Sequence, residues 1–177
     1  MSIRAGVVAL SLLALAGADT SAQVRKGQVP GVANFSRVDA TVGCGGATQA
    51  AAMPELKKEG FRSVINLRMS SEPGADVEGS RAAAQAAGLK YIHLPFDTRN
   101  PDPMLVQNFL AAVADTSNQP VYIHCASANR VGAVWMIKRV LQDGWDLGKA
   151  QEEAEAIGLT NPGLKEFATQ YIQSHKK

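Results

Sequence analysis

The chemistry of this chain gathers in residues 121–132, Val121-Tyr122-Ile123-His124-Cys125-Ala126-Ser127-Ala128-Asn129-Arg130-Val131-Gly132. A strand-like run ends in a histidine and a cysteine, a loop of small residues follows, and an arginine opens an apolar helical pattern. Backbone N–H groups at a helix start have no intrahelical acceptor and point at whatever occupies the preceding loop. Further loop amides can deepen that concavity into an anion nest. Such a field favours the thiolate, the nucleophilic form of cysteine, so Cys125 is the candidate nucleophile. Arg130 offers a planar fork matched to two oxygens of a phosphate or sulfate.

The elements that must position these groups alternate along the chain. Strand character falls at residues 35–42, 62–68, 90–94 and 121–123. Helical patterns fall at 47–59 with Pro54 in the first turn, 77–87 closed by Gly88, 104–114 capped by Asp102, and 131–142. Two more follow, one capped by Asp146 and running to Ile157, one capped by Asn161 and running to about Ser174. Strands separated by helices imply right-handed crossovers and a single α/β domain. Its mostly parallel central sheet should have about four to five strands with helices on both faces. In such sheets ligands bind beyond the carboxyl ends of the strands. The expected rim consists of four loops: residues 43–46, a glycine-rich bend holding Cys44, then 68–75, 95–103 and 125–130.

Ahead of the domain, Arg4 precedes a small apolar run at residues 5–16, too short to span a membrane. With cleavage-type small residues before Ala18 and Ala22, residues 1–22 read as a secretory signal, 23–34 as a linker and 35–177 as the domain. The mature protein is therefore expected in the periplasm or secreted, with no membrane span after signal removal. The formal net charge is only +2 and the basic pairs are isolated, which argues against a nucleic-acid partner. Three scattered histidines give no metal-ligand spacing. Two cysteines in an exported protein also allow a structural disulfide, although Cys125 in a phosphate-type loop does not need one.

His124-Cys125, the small-residue loop and Arg130, taken with Asn66-Leu67-Arg68, Glu72, His93-Leu94-Pro95-Phe96-Asp97 and Gln119-Pro120, resemble the cysteine-dependent protein tyrosine phosphatases. The order of elements is similar to their dual-specificity branch. The likeness is strongest to a bacterial group of phosphatase-like domains also found fused to β-lactamase-fold hydrolases. The resemblance implies cleavage of phosphate monoesters through a phosphocysteine, with no metal or cofactor. It implies Cys125 as nucleophile and Arg130, with the amides of Ala126, Ser127, Ala128 and Asn129, as phosphate ligands. Asp97 takes the position of the acid that protonates the leaving oxygen. His124 orients the cysteine strand by hydrogen bonding, and Arg68 either faces the substrate or pairs with Glu72. The substrate class stays open between a phosphorylated small molecule, a lipid and a protein.

Three departures accompany the likeness. Only four residues separate Cys125 from Arg130, where the phosphatase pattern has five. Ala128 replaces the usual glycine, and Val131 the usual hydroxyl residue. The shorter loop is similar to that of rhodanese sulfurtransferases, which keeps open a persulfide-carrying sulfurtransferase. A module that binds an anion or partner without catalysis is also open. Cys44, expected on the same rim, raises the further possibility of a reversible disulfide with Cys125.

Overall fold

The computed structural model describes residues 24–176; the expected signal segment lies outside them. Six strands form one sheet: β1 (Arg25–Lys26), β2 (Ser36–Arg37), β3 (Val42–Gly45), β4 (Ser63–Asn66), β5 (Lys90–His93) and β6 (Val121–His124). Their spatial order is β1-β2-β3-β6-β4-β5. The pairs β3–β6, β6–β4 and β4–β5 are parallel, while β1–β2 and β2–β3 are antiparallel. The domain is α/β with a mostly parallel sheet, as expected, extended by two short antiparallel edge strands.

Three local expectations change. Residues 23–34 were expected as a linker, but Arg25 and Lys26 pair with Arg37 and Ser36, and Val29 is buried. Gly and Pro in this segment mark a tight path across the sheet edge. The run at 35–42 is two strands joined by a turn in which Asp39 Oδ1 accepts from both the amide and the hydroxyl of Thr41. Finally, Gly43-Cys44-Gly45 belongs to β3 and is no bend. Its glycines answer to packing, because a Cβ on Gly43 would meet the Phe61 ring and one on Gly45 the Tyr122 hydroxyl. Cys44 is consequently fully buried inside a strand.

Side chains alternate between the two faces of a strand. Val64 and Tyr122 join Phe35 and Phe61 in one apolar layer, covered by α1 (Met53–Lys58) and α2 (Val77–Ala86). Ile65, Ile123 and Cys125 face the larger layer built by α3 (Pro103–Ala114), α4 (Asn129–Leu141), α5 (Leu147–Ile157) and α6 (Pro162–His175). Helix α4 lies between the sheet and α5 and α6, which explains why ten of its thirteen residues are buried. Its approach to the 154–159 segment needs Gly132: a Cβ there would lie 2.7 Å from Leu159 Cβ and 2.9 Å from the Ala154 carbonyl oxygen. Asp102, Asp146 and Asn161 cap their helices through backbone amides, as their residue types require.

Among the described residues no helix is long and apolar enough to cross a membrane. In register, His124 at the end of β6 lies between Gly45 and Asn66, and Asn66 pairs with His93. The loops after β3, β4, β5 and β6 therefore leave from one edge of the sheet.

Candidate active site

Cys125 follows β6 directly, and its amide donates to the Gly45 carbonyl at 3.3 Å. The loop is then pinned from the β3 side, where Ala47 N–H donates to the Ala126 carbonyl at 2.9 Å. Ala128 turns the chain into α4 with φ +71°, the left-handed conformation that costs a non-glycine residue about 1 kcal/mol. That alanine stands where the resemblance led one to look for glycine, and dense burial holds it there. The amides of Asn129, Arg130 and Val131 form the first turn of α4 and have no intrahelical acceptor. Cys125, which precedes this turn, is only 1 % exposed.

Arg130 is held in a fixed orientation. Its Nη1 and Nη2 donate to Glu72 Oε1 and Oε2 at 2.5 and 2.8 Å, and Nη1 also donates to the Phe96 carbonyl at 3.0 Å. A guanidinium has five N–H groups, so these bonds leave Nε and one Nη2 hydrogen along its side edge. That edge has the geometry of a two-oxygen clamp. Burial opposes the charge of Arg130, but the Glu72 hydrogen bonds and the nearby Cys125 sulfur keep its pKa above the ordinary arginine value. Burial likewise opposes ionisation of Glu72, yet Arg130, the Met69 amide and Arg68 hold its carboxyl at about 2.

Glu72 also accepts from Arg68 Nε at 3.2 Å and from Met69 N–H at 2.7 Å. The rest of the Arg68 guanidinium donates to the carbonyls of Pro73 and Gly74 at 2.6 and 2.8 Å. Arg68 therefore braces the loop that presents Glu72 and does not line the cavity. Of its two sequence-level alternatives, the pairing with Glu72 is the one seen. The residue that clamps the clamp, Glu72, was legible only as part of a motif, four positions after Arg68 in a rim loop.

Glu72, Asp97, Arg99, Ser127, Asn129 and Arg130 border a hollow of about 360 Å³. Asp97 is partly exposed there and accepts from Arg99 through its amide, Nε and Nη2 at 3.0, 3.2 and 3.3 Å. Those hydrogen bonds hold its carboxyl below the usual range. Sequence reading gave no part to Arg99. Asn129 Oδ1 accepts from Thr160 N–H and Asn161 N–H at 2.7 and 2.8 Å, while its Nδ2 donates to Ser127 Oγ at 3.2 Å. It thereby ties the cysteine loop to the α5–α6 connection, a contact between distant segments.

Two expectations need correction. His124 does not hold the cysteine strand by ring hydrogen bonds: both ring nitrogens are buried without a partner among the described residues. The ring instead stacks on Tyr122 at 5.7 Å. Burial drives its pKa down to about 3, so it is neutral. Cys44 does not face Cys125 across a rim. Both cysteines are free and buried, and burial, then the charges of Glu153 and Asp39, push the Cys44 thiol well above its ordinary value.

Comparisons with known proteins agree with the fold. A DUF442 protein from Shewanella putrefaciens superposes with TM-score 0.70 at 20% identity, over 84% of this chain and 97% of that one. Pseudomonas aeruginosa TpbA gives 0.67 at 21%, over 88% and 91%. The core catalytic domain of the PP-IP phosphatase Siw14 from S. cerevisiae gives 0.65 at 20%, over 81% and 88%. Among curated sequences, a β-lactamase hydrolase-like protein of Xylella fastidiosa is 34% identical over 62% of this chain and 29% of its own length. One from Agrobacterium fabrum is 25% identical over 78% and 37%. The chain thus spans about a third of these relatives. The family of the β-lactamase hydrolase-like protein, phosphatase-like domain, matches residues 35–142. With that match over most of its domain, and a cysteine loop and arginine set on a phosphatase-like α/β sheet, the chain belongs to this phosphatase-like family.

Proposed function

We propose that this domain hydrolyses phosphate monoesters through a phosphocysteine. The observation that carries the proposal is Arg130, fixed by Glu72 and the Phe96 carbonyl with one two-donor edge left over beside the cysteine loop. A phosphoryl group bound to that edge and to the first-turn amides of α4 has its charge neutralised by preorganised donors. The Cys125 thiolate attacks phosphorus, a sulfur–phosphorus bond forms, and the ester oxygen leaves with a proton from Asp97. Water then attacks phosphorus, giving its proton to the Asp97 carboxylate while the electron pair returns to sulfur. The Arg99 hydrogen bonds lower the Asp97 pKa and so oppose its protonated form, and an incoming phosphate is a competing partner for that arginine.

The test is a panel of aryl and alkyl phosphates on reduced protein. Turnover should vanish in Cys125→Ser and fall about a hundredfold or more in Arg130→Lys, since a lysine cannot reproduce the bidentate edge. Asp97→Asn should show a smaller deficit, greatest with poor leaving groups.

One observation favours a second reading, a phosphate-binding module without turnover: the sulfur is almost fully covered. In that case phosphate raises the melting temperature while no ester is cleaved. Loading of a persulfide on Cys125 by thiosulfate would instead support sulfurtransferase chemistry. We place the protein in an exported compartment on the strength of residues 1–22, which cell fractionation of the full chain tests.

A further inference from the structure

Beside the phosphate hollow lies a second one of about 370 Å³, between the 98–101 loop and the first turns of α6. The two share Thr98, Asn161 and Leu164, so they form one continuous groove. Their chemistry differs. The first is bordered by Arg130 and Arg99, the second by Pro101, Leu164 and Phe167, with Glu166 and Gln170 at its side. Phe167 is half-buried and packs on Phe96 at 5.6 Å, which fixes the apolar floor relative to the loop carrying Asp97. Glu166 is exposed and receives a hydrogen bond from Gln170 Nε2 at 3.0 Å. Among the described residues it has no cationic partner, and no lysine or arginine borders this second hollow. Lys165, its neighbour in sequence, is paired with Glu155 instead.

We infer that the second hollow receives the organic part of the ester, and that it selects singly phosphorylated substrates with an aromatic or apolar body bearing a positive charge. The inference rests on the first hollow being the phosphate site. A second phosphate on the substrate would meet Glu166 and an apolar floor with no counter-charge, whereas an ammonium there would gain a carboxylate. An aromatic body would cover Leu164 and Phe167.

Two probes of matched core separate these cases: phosphotyrosine amide, whose body ends in an ammonium, and N-acetyl-phosphotyrosine, whose body ends in a carboxylate. Their Kd values are measured on Cys125→Ser protein, with inorganic phosphate as the reference for each variant. Turnover of both is measured on the unmodified protein. The expected preference for the ammonium probe is about fivefold, the range of a partly exposed ion pair. It should fall to about one in Glu166→Gln and invert in Glu166→Lys; both substitutions lie on an exposed helix face, and their melting curves check the fold. A ratio near one that neither variant moves overturns the inference, even with brisk turnover. A ratio that follows Glu166 without any turnover upholds the groove and overturns the catalytic reading instead. Failure of both probes and of phosphate to bind overturns both.

Discussion

Glu72 and the Phe96 carbonyl occupy three of the five N–H groups of Arg130, and the remaining edge is what can hold a phosphoryl group. Replacing Glu72 by glutamine keeps the size but removes the charge and turns an NH2 group towards the guanidinium. Arg130 then loses its fixed orientation and is free to swing. Glu72→Gln should lower kcat/KM for an aryl phosphate by about tenfold or more, chiefly through KM, because the loss falls on binding. Urea unfolding at neutral pH should show a loss of about 1–3 kcal/mol, the usual cost of orphaning a charged hydrogen-bonding group. An unchanged KM would mean that Arg130 is oriented by other means. Arg68 enters the same argument one step back, bracing the Glu72 loop through two carbonyls.

At the scale of elements, the site depends on how α4 is seated. Its apolar residues pack on every side, and two buried charged groups are matched where they occur. Arg130 meets Glu72, and Arg139 meets Glu153 at 2.6 Å, with Trp135 Nε1 donating to the same carboxylate at 2.7 Å. The start of α4 is joined to the α5–α6 connection by Asn129, whose Oδ1 serves the amides of both Thr160 and Asn161. Asn129→Ala frees those amides to water and loosens Asn161, which borders both hollows. Amide hydrogen exchange at Thr160 and Asn161 should quicken, with a stability loss of about 1 kcal/mol. Protection that is unchanged at these two amides would show that the connection holds itself.

For the whole molecule, acid is the informative stress. His124 titrates near 6.5 when unfolded but at about 3 in the fold because burial excludes its charged form. Between those values the unfolded chain binds the extra proton, so stability falls as pH is lowered through this window. The limiting slope is about 1.4 kcal/mol per pH unit. Glu72 adds to the loss further down: its folded pKa of about 2 lies below the ordinary 4.5, so its contribution is complete above 4.5 and disappears towards 2. Chemical unfolding followed from pH 7.5 down to 4 should therefore show a decline that begins near 6.5. His124→Phe, which can keep the stack on Tyr122, should flatten the upper part of that decline. If the variant follows the same curve as the unmodified protein, His124 is not the group responsible.

The sequence alone determined what depends on local chemistry: the alternation of strands and helices, the three capped helix starts, and a cysteine and an arginine bracketing a helix N-terminus. Each is set by neighbours within a few positions, through hydrogen bonds a residue makes with its own turn or the period of a single element. It misread residues 43–45 because glycines signal a bend locally, whereas here they make room for the Phe61 ring, just ahead of β4, and for Tyr122 on β6. The same cause moved Cys44 from the expected rim into the sheet, while pairing with β2 made an edge strand of an expected linker. Only the tertiary structure could decide that Glu72, not a substrate, takes one edge of Arg130, that Arg68 stands behind it, and that Arg99 covers Asp97. The Glu72–Arg130 pair joins loops 58 positions apart, which a parallel sheet brings to one edge only after every strand has found its place. The Arg68–Glu72 and Arg99–Asp97 pairs lie within single loops, whose shape is set by that same seating on the sheet edge.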